Sequence, residues 1–116
     1  PDFYIWSGND DETVPICALG GKGVISVAAN VVPAQMHRLV ELCLQNDFAA
    51  AGELQIALKP LCDALFCEVN PIPVKTALNL MGWEAGPLRL PLCQPSEEHL
   101  QLIQTTLAEY GLIPES

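Results

Sequence analysis

The stretch from Trp6 to Val31, WSGNDDETVPICALGGKGVISVAANV, constrains the fold more than any other part of the chain. Phe3 to Trp6 is a short β-favouring run, and Ser7-Gly8 breaks it. Asn9, Asp10 or Asp11 can cap the helix that follows, and Glu12 with the Asp pair suits its positive end. That helix is expected from about Asp11 to Leu19, with Val14, Ile16, Cys17 and Leu19 as its apolar set. Gly20-Gly21 supplies the stop and the turn. Gly23 to Ala28 is then a continuous apolar run with β-branched Val24, Ile25 and Val27. Six residues flanked by glycine, without alternation, favour a parallel strand covered on both faces. The stretch reads as one βαβ unit of a parallel barrel, with polar groups gathered where strands end. The chain opens inside the first strand of that unit, so the rest of the barrel is expected to precede it.

Downstream the pattern turns helical. Pro33 sits where a first-turn proline belongs, and a helix is expected to about Gln45 with Met36, Leu39, Val40, Cys43 and Leu44 facing the core. A longer helix, about Asp47 to Phe66, carries Phe48, Leu54, Ala57, Leu58, Leu61 and Leu65, with Pro60 placed to kink it. Asn70-Pro71-Ile72-Pro73 predicts an extended turn, because each proline biases its predecessor away from helix. A short helix from Val74 to Met81 follows, ended by Gly82. Trp83 to Gln94 is broken by prolines and a glycine and reads as an ordered loop. Ser96 caps a last helix with Glu97 and Glu98 in its first turn. Its stripe is Leu100, Ile103, Leu107 and Tyr110, and Gly111 ends it. Two strands cannot bury themselves. The fold class is therefore α/β, the terminal part of a barrel (residues 1–46) followed by a helical extension (residues 47–116), mostly helical as it stands.

Charge and composition exclude several functions. A net charge of −9 with five scattered basic residues argues against nucleic acid as a partner. No signal or transit pattern and no apolar run long enough to span a bilayer occurs, so a soluble, cytoplasmic setting is expected and no membrane partner. Half the residues are hydrophobic and mean hydropathy is +0.27. Such a chain is expected to cover apolar surface with other sequence or with a second copy of itself.

Few residues invite catalysis. Cys17, Cys43, Cys62, Cys67 and Cys93 lack metal-ligand spacing and read as small buried hydrophobes. Asp10, Asp11 and Glu12 are read as helix-start carboxylates rather than a metal site, and His37 and His99 are isolated on helices. The GGKG turn precedes a strand rather than a helix, unlike a phosphate cradle. Lys22, Lys59 and Lys75 are the only lysines. Lys22 lies at the N-terminal, stability end of a strand, Lys59 adjoins a helix proline and Lys75 opens a short helix, so none reads as a nucleophile. No metal and no cofactor is implied.

Three strings carry a resemblance: SGNDDETVPICALGGKGVISVAANV, EVNPIPVKTALNLMGW and LRLPL. In this order and spacing they resemble the C-terminal part of the dihydrodipicolinate synthase (4-hydroxy-tetrahydrodipicolinate synthase) family of pyruvate-dependent lyases. N-acetylneuraminate lyases and keto-deoxy-sugar aldolases are the alternative relatives. The resemblance implies a (β/α)8 TIM barrel with a C-terminal helical domain, this chain supplying strands seven (Phe3 to Trp6) and eight (Gly23 to Ala28). It implies condensation of pyruvate, held as a Schiff base on lysine, with aspartate semialdehyde in lysine biosynthesis. The Schiff-base lysine, the proton-relaying tyrosines and threonine, and the substrate-gripping arginine all fall before this chain. Two positions carry over as substrate-binding: Gly8 resembles the glycine that keeps the pocket floor open, and Ile25 the residue bordering bound pyruvate. The family forms homo-tetramers. The 116-residue chain alone is expected to be inactive, and self-association without catalysis is the reading from a different class.

Overall fold

The computed structural model describes residues 2–115. They form two compact units, one comprising residues up to Lys59 and the other starting at Pro60. Helix α1 is Thr13–Ala18, α2 Pro33–Leu44, α3 Phe48–Leu65, α4 Ile72–Leu80 and α5 Glu97–Glu109, with 3-10 turns at Asp10–Glu12 and Ala28–Asn30.

The first unit opens with two extended segments that lie parallel. The Lys22 N–H donates to the Ile5 carbonyl (2.8 Å), the Ser7 N–H to the Gly23 carbonyl (2.8 Å), and the Ile25 N–H to the Ser7 carbonyl (2.9 Å). Among the described residues only the Ser7–Val24 pair completes a bridge. Regular strands over Phe3–Trp6 and Gly23–Ala28 are thus not present among the described residues. The second segment also ends early, because Val27 is already helical (φ −77°, ψ −45°) and Ala28–Asn30 forms a 3-10 turn. A strand needs neighbours to supply its remaining hydrogen bonds, and here each segment has one.

Between them the chain reverses at Gly20 (φ +104°), where the Gly21 N–H bonds back to the Ile16 carbonyl at 2.9 Å. This left-handed turn closes α1 and needs no side chain. Gly23 serves close approach, since a Cβ there would lie 3.1 Å from the Trp6 ring. Pro33 opens α2 as expected. Met36, Leu39, Leu42 and Cys43 are its buried face, so Leu42 takes the place expected for Leu44, which is exposed. Helix α1 packs on α2, and α2 on the 3-10 turn after the second segment.

In the second unit α4 packs against α5. Helix α4 begins at Ile72, with Pro73 inside its first turn. The expected extended turn is therefore shorter than the two prolines suggested, because a first-turn N–H has no intrahelical partner to lose. Ile72, Val74 and Ala77 of α4 and Ile103 and Leu107 of α5 are buried. Helix α5 starts and stops where its sequence predicts. The Ser96 hydroxyl accepts the His99 N–H (3.2 Å), and Gly111 follows at φ +70°. The connection before it has no regular structure but is tied down: Lys75 Nζ donates to the Pro87 carbonyl (2.7 Å), and Asn79 bonds both Gly86 and Ala85. Among the described residues no helix is long and apolar enough to cross a membrane.

Candidate functional site

The three-rung ladder sets the polarity of the site. Lys22 enters at its first rung and Ile25 at its last, so Gly8 and Ile25 emerge together at the C-terminal end of the paired segments. Gly8 is exposed, with open space where a Cβ would stand. The Ile25 side chain is 75% exposed, and Phe3, Tyr4, Ile5 and Trp6 are also bare. Four consecutive apolar side chains facing water beside a half-formed parallel pair are an uncovered surface rather than a finished one.

Behind Gly8 the turn is closed by Ser7, whose buried hydroxyl donates to the Asn9 carbonyl at 2.7 Å. Asp10, at 1% exposure, is the most buried charged residue of the unit. It does not cap the helix start as the sequence suggested. Its carboxylate instead accepts the Ser26 hydroxyl, the Val27 N–H at 3.0 Å and the Ala28 N–H at 3.1 Å. The Asp10 carbonyl takes the Thr13 hydroxyl and the Gln55 amide, both at 2.9 Å. Gln55 returns its own oxygen to the Val14 N–H at 3.1 Å. Sequence reasoning missed this network. Its signal was present in Ser26, the one hydroxyl within GVISVAA, and in Gln55 within an apolar helical run.

The arrangement holds backbone; it does not activate a nucleophile. The proton of Ser26 goes to Asp10, and its oxygen accepts the Ala29 N–H (2.9 Å). The Ser26–Asp10 bond is direct, without an intervening base. Lys22 lies over the Tyr4 ring, 5.9 Å from its centre, and Lys75 is engaged with the loop. Among the described residues no group of three metal-ligating side chains comes together. Cys17, Cys43 and Cys62 are buried as read, whereas Cys67 is half-buried and Cys93 exposed. Burial, helped by the adjacent Cys17 thiol, pushes Cys43 up to about 11.

Comparison with known proteins gives this geometry a context. The model of the dihydrodipicolinate synthetase family matches residues 1–110. The 4-hydroxy-tetrahydrodipicolinate synthase of Thermoanaerobacter sp. (strain X514) is 52% identical over 114 residues, which is 98% of this chain and 38% of the relative. That of Methanocaldococcus jannaschii is 56% identical over 109 residues, 94% of this chain and 38% of the relative. The crystal structure of the Thermotoga maritima dihydrodipicolinate synthase superposes with a TM-score of 0.91 at 49% identity, over 97% of this chain and 38% of that one. This chain thus belongs to the dihydrodipicolinate synthetase family and spans 38% of the length of the relatives it matches.

Proposed function

We propose that this chain is the C-terminal part of a pyruvate-dependent, class I aldolase-type lyase that condenses pyruvate with aspartate semialdehyde in lysine biosynthesis, in the cytoplasm. Residues 1–46 then supply the last two β/α units of a TIM barrel and residues 47–116 its helical extension. In this reading Phe3–Trp6 and the segment from Gly23 to Ser26 serve as the seventh and eighth strands once neighbouring strands pair with them, the bend at Val27 closing the eighth. Gly8 and Ile25 border bound pyruvate, the position in which barrel enzymes build their sites. The observation that carries the reading is the parallel Ser7–Val24 pair, with bare apolar side chains flanking it, in a chain matched by the family along 110 residues.

Taken alone, the chain is inactive in this reading, because a Schiff base needs a desolvated lysine and the three lysines present do not provide one. Incubation of the chain with pyruvate and borohydride should leave its mass unchanged. A chimaera in which it replaces the matching part of the Methanocaldococcus jannaschii synthase should trap pyruvate on a lysine outside this chain. A stable adduct on the isolated chain, or none on a folded chimaera, sinks the reading.

The bare edge formed by Phe3 to Trp6 and Ile25 also favours self-association of the isolated chain, and the complete enzyme is proposed to be a homo-tetramer. Sedimentation should show association of the chain that weakens when Phe3 and Ile5 are both changed to Ser. A monomer at high concentration would exclude it.

A further inference from the structure

We propose that Asp10 is the positioning residue of the pyruvate wall, a role that rests on the reading of the chain as part of a pyruvate lyase. The segment Ser7–Asp10 grips the segment from Ile25 to Ala28 at two points. At one, the Ser7 carbonyl takes the Ile25 N–H (2.9 Å). At the other, the Asp10 carboxylate takes the Ser26 hydroxyl and the N–H groups of Val27 and Ala28. Gly8 and Ile25 lie inside this clamp, so their mutual placement follows from its two ends.

The second point is the one that bends the chain. Ile25 leaves the ladder and Val27 is already helical. The three donors that this bend turns inward would be orphaned without an acceptor, and a carboxylate offers enough lone pairs for all of them. Asp10 is in turn fixed from behind by Thr13 and by Gln55 of α3, each 2.9 Å from its carbonyl. The hydrogen bonds of Asp10, Thr13 and Gln55 go to one another and to Val14, Ser26, Val27 and Ala28 rather than to Gly8 or Ile25. Their effect on pyruvate is therefore through the wall, as supporting residues act on a site they do not touch.

Hydrogen exchange on the isolated chain tests the clamp without any assumption about activity. Asp10→Ala should speed exchange at the Ile25, Val27 and Ala28 amides roughly tenfold more than at Leu39 and Leu42 in α2, the factor that one lost hydrogen bond is worth. Asp10→Asn, which preserves shape and one acceptor oxygen, should give the same pattern at smaller size and guards against a variant that fails to fold. Unchanged exchange at these amides in the folded Asn variant, or an equal rise throughout α2, overturns the clamp. In the chimaera, Asp10→Asn should raise the KM for pyruvate roughly fivefold with kcat little changed, and the lysine adduct should still form. A fall in kcat alone would overturn the positioning role. A folded but inactive unsubstituted chimaera would instead overturn the enzymatic reading, and with it the assignment to pyruvate, leaving exchange to decide the clamp.

Discussion

In residues 2–59 a buried carboxylate organises backbone over long sequence separations, Asp10 reaching Ser26, Val27 and Ala28 while Gln55 returns to Asp10. In residues 60–115 the organising device is apolar, with α4 and α5 burying Ile72, Val74, Ala77, Ile103 and Leu107. Polar ties there include the short Thr76 to Ile72 bond and the Ser96 cap. Its long-range carboxylate, Glu68, holds one backbone N–H and one imidazole rather than a bend of backbone. The difference teaches what each region can tolerate. A helix pair buries surface in proportion to area and degrades gradually. A single acceptor serving three donors fails abruptly, because each donor it abandons stays dehydrated. The first region also leaves Phe3 to Trp6 bare.

The two tryptophans, Trp6 and Trp83, fall one in each region and allow the contrast to be broken experimentally. The largest effect is expected from Asp10→Ala. Three buried donors lose their acceptor at about 1–3 kcal/mol each, and water recovers part, so a loss of about 4 kcal/mol is expected. Urea unfolding followed through Trp6 in a Trp83→Phe background measures it, and a loss under about 1 kcal/mol would remove the basis of the comparison.

Leu107→Ala should come next. Leu107 is 1% exposed, and truncating such a side chain costs about 3 kcal/mol through lost burial and a residual cavity. Fluorescence of Trp83 in a Trp6→Phe background should register it. If Asp10→Ala proved the milder of the two, the polar network would be incidental to an apolar core.

A smaller, pH-dependent effect belongs to Glu68. Its carboxylate accepts from His99 Nδ1 at 2.7 Å and from the Ser96 N–H at 2.9 Å. The His99 bond first, and then the Ser96 backbone, hold it below its ordinary 4.5. A folded-state value below the unfolded one stabilises fully above 4.5, and that contribution fades as pH falls through the lowered value. Glu68→Gln should therefore flatten the acid limb of thermal melts taken from about pH 6 to about pH 3. An identical acid limb in the variant would show that this tie between the α3–α4 connection and the start of α5 is silent.

The smallest effect concerns reactivity rather than stability. Cys93 is exposed and should react first with a thiol reagent. Cys67 should follow slowly, since burial and then Glu68 raise its thiol. Cys43, at about 11 and buried in the first region, should react last, because the thiolate is the reactive form. Early modification of Cys43 would show that the first region opens more readily than its network implies.

Legibility followed the range of the interactions. Helix α5 was readable at both ends because its cap, its stripe and its terminal glycine are local signals. In α2 the stripe was read with Leu44 in place of Leu42, a slip that a periodicity alone cannot settle when four leucines and cysteines cluster. The start of α4 was read late because two prolines look like an extended turn until the second is seen within a first turn. Asp10 was read by its neighbours Asp11 and Glu12, as one of three helix-start carboxylates. Its burial depends on Ser26 and Gln55, far along the chain, and no local pattern reports it.

By itself the sequence determined the order of elements, the glycine and proline punctuation, the helix faces to within a residue or two, and the family signature. Those properties are written in neighbours a few residues apart, where propensity and periodicity act. Only the tertiary structure decided how far the extended segments pair, which carboxylate is buried, and which side chains meet at the open end of the ladder. Strand pairing and the burial of charge depend on partners distant in sequence, and an acceptor at Asp10 acquires its role only when the backbone of Val27 and Ala28 is brought to it.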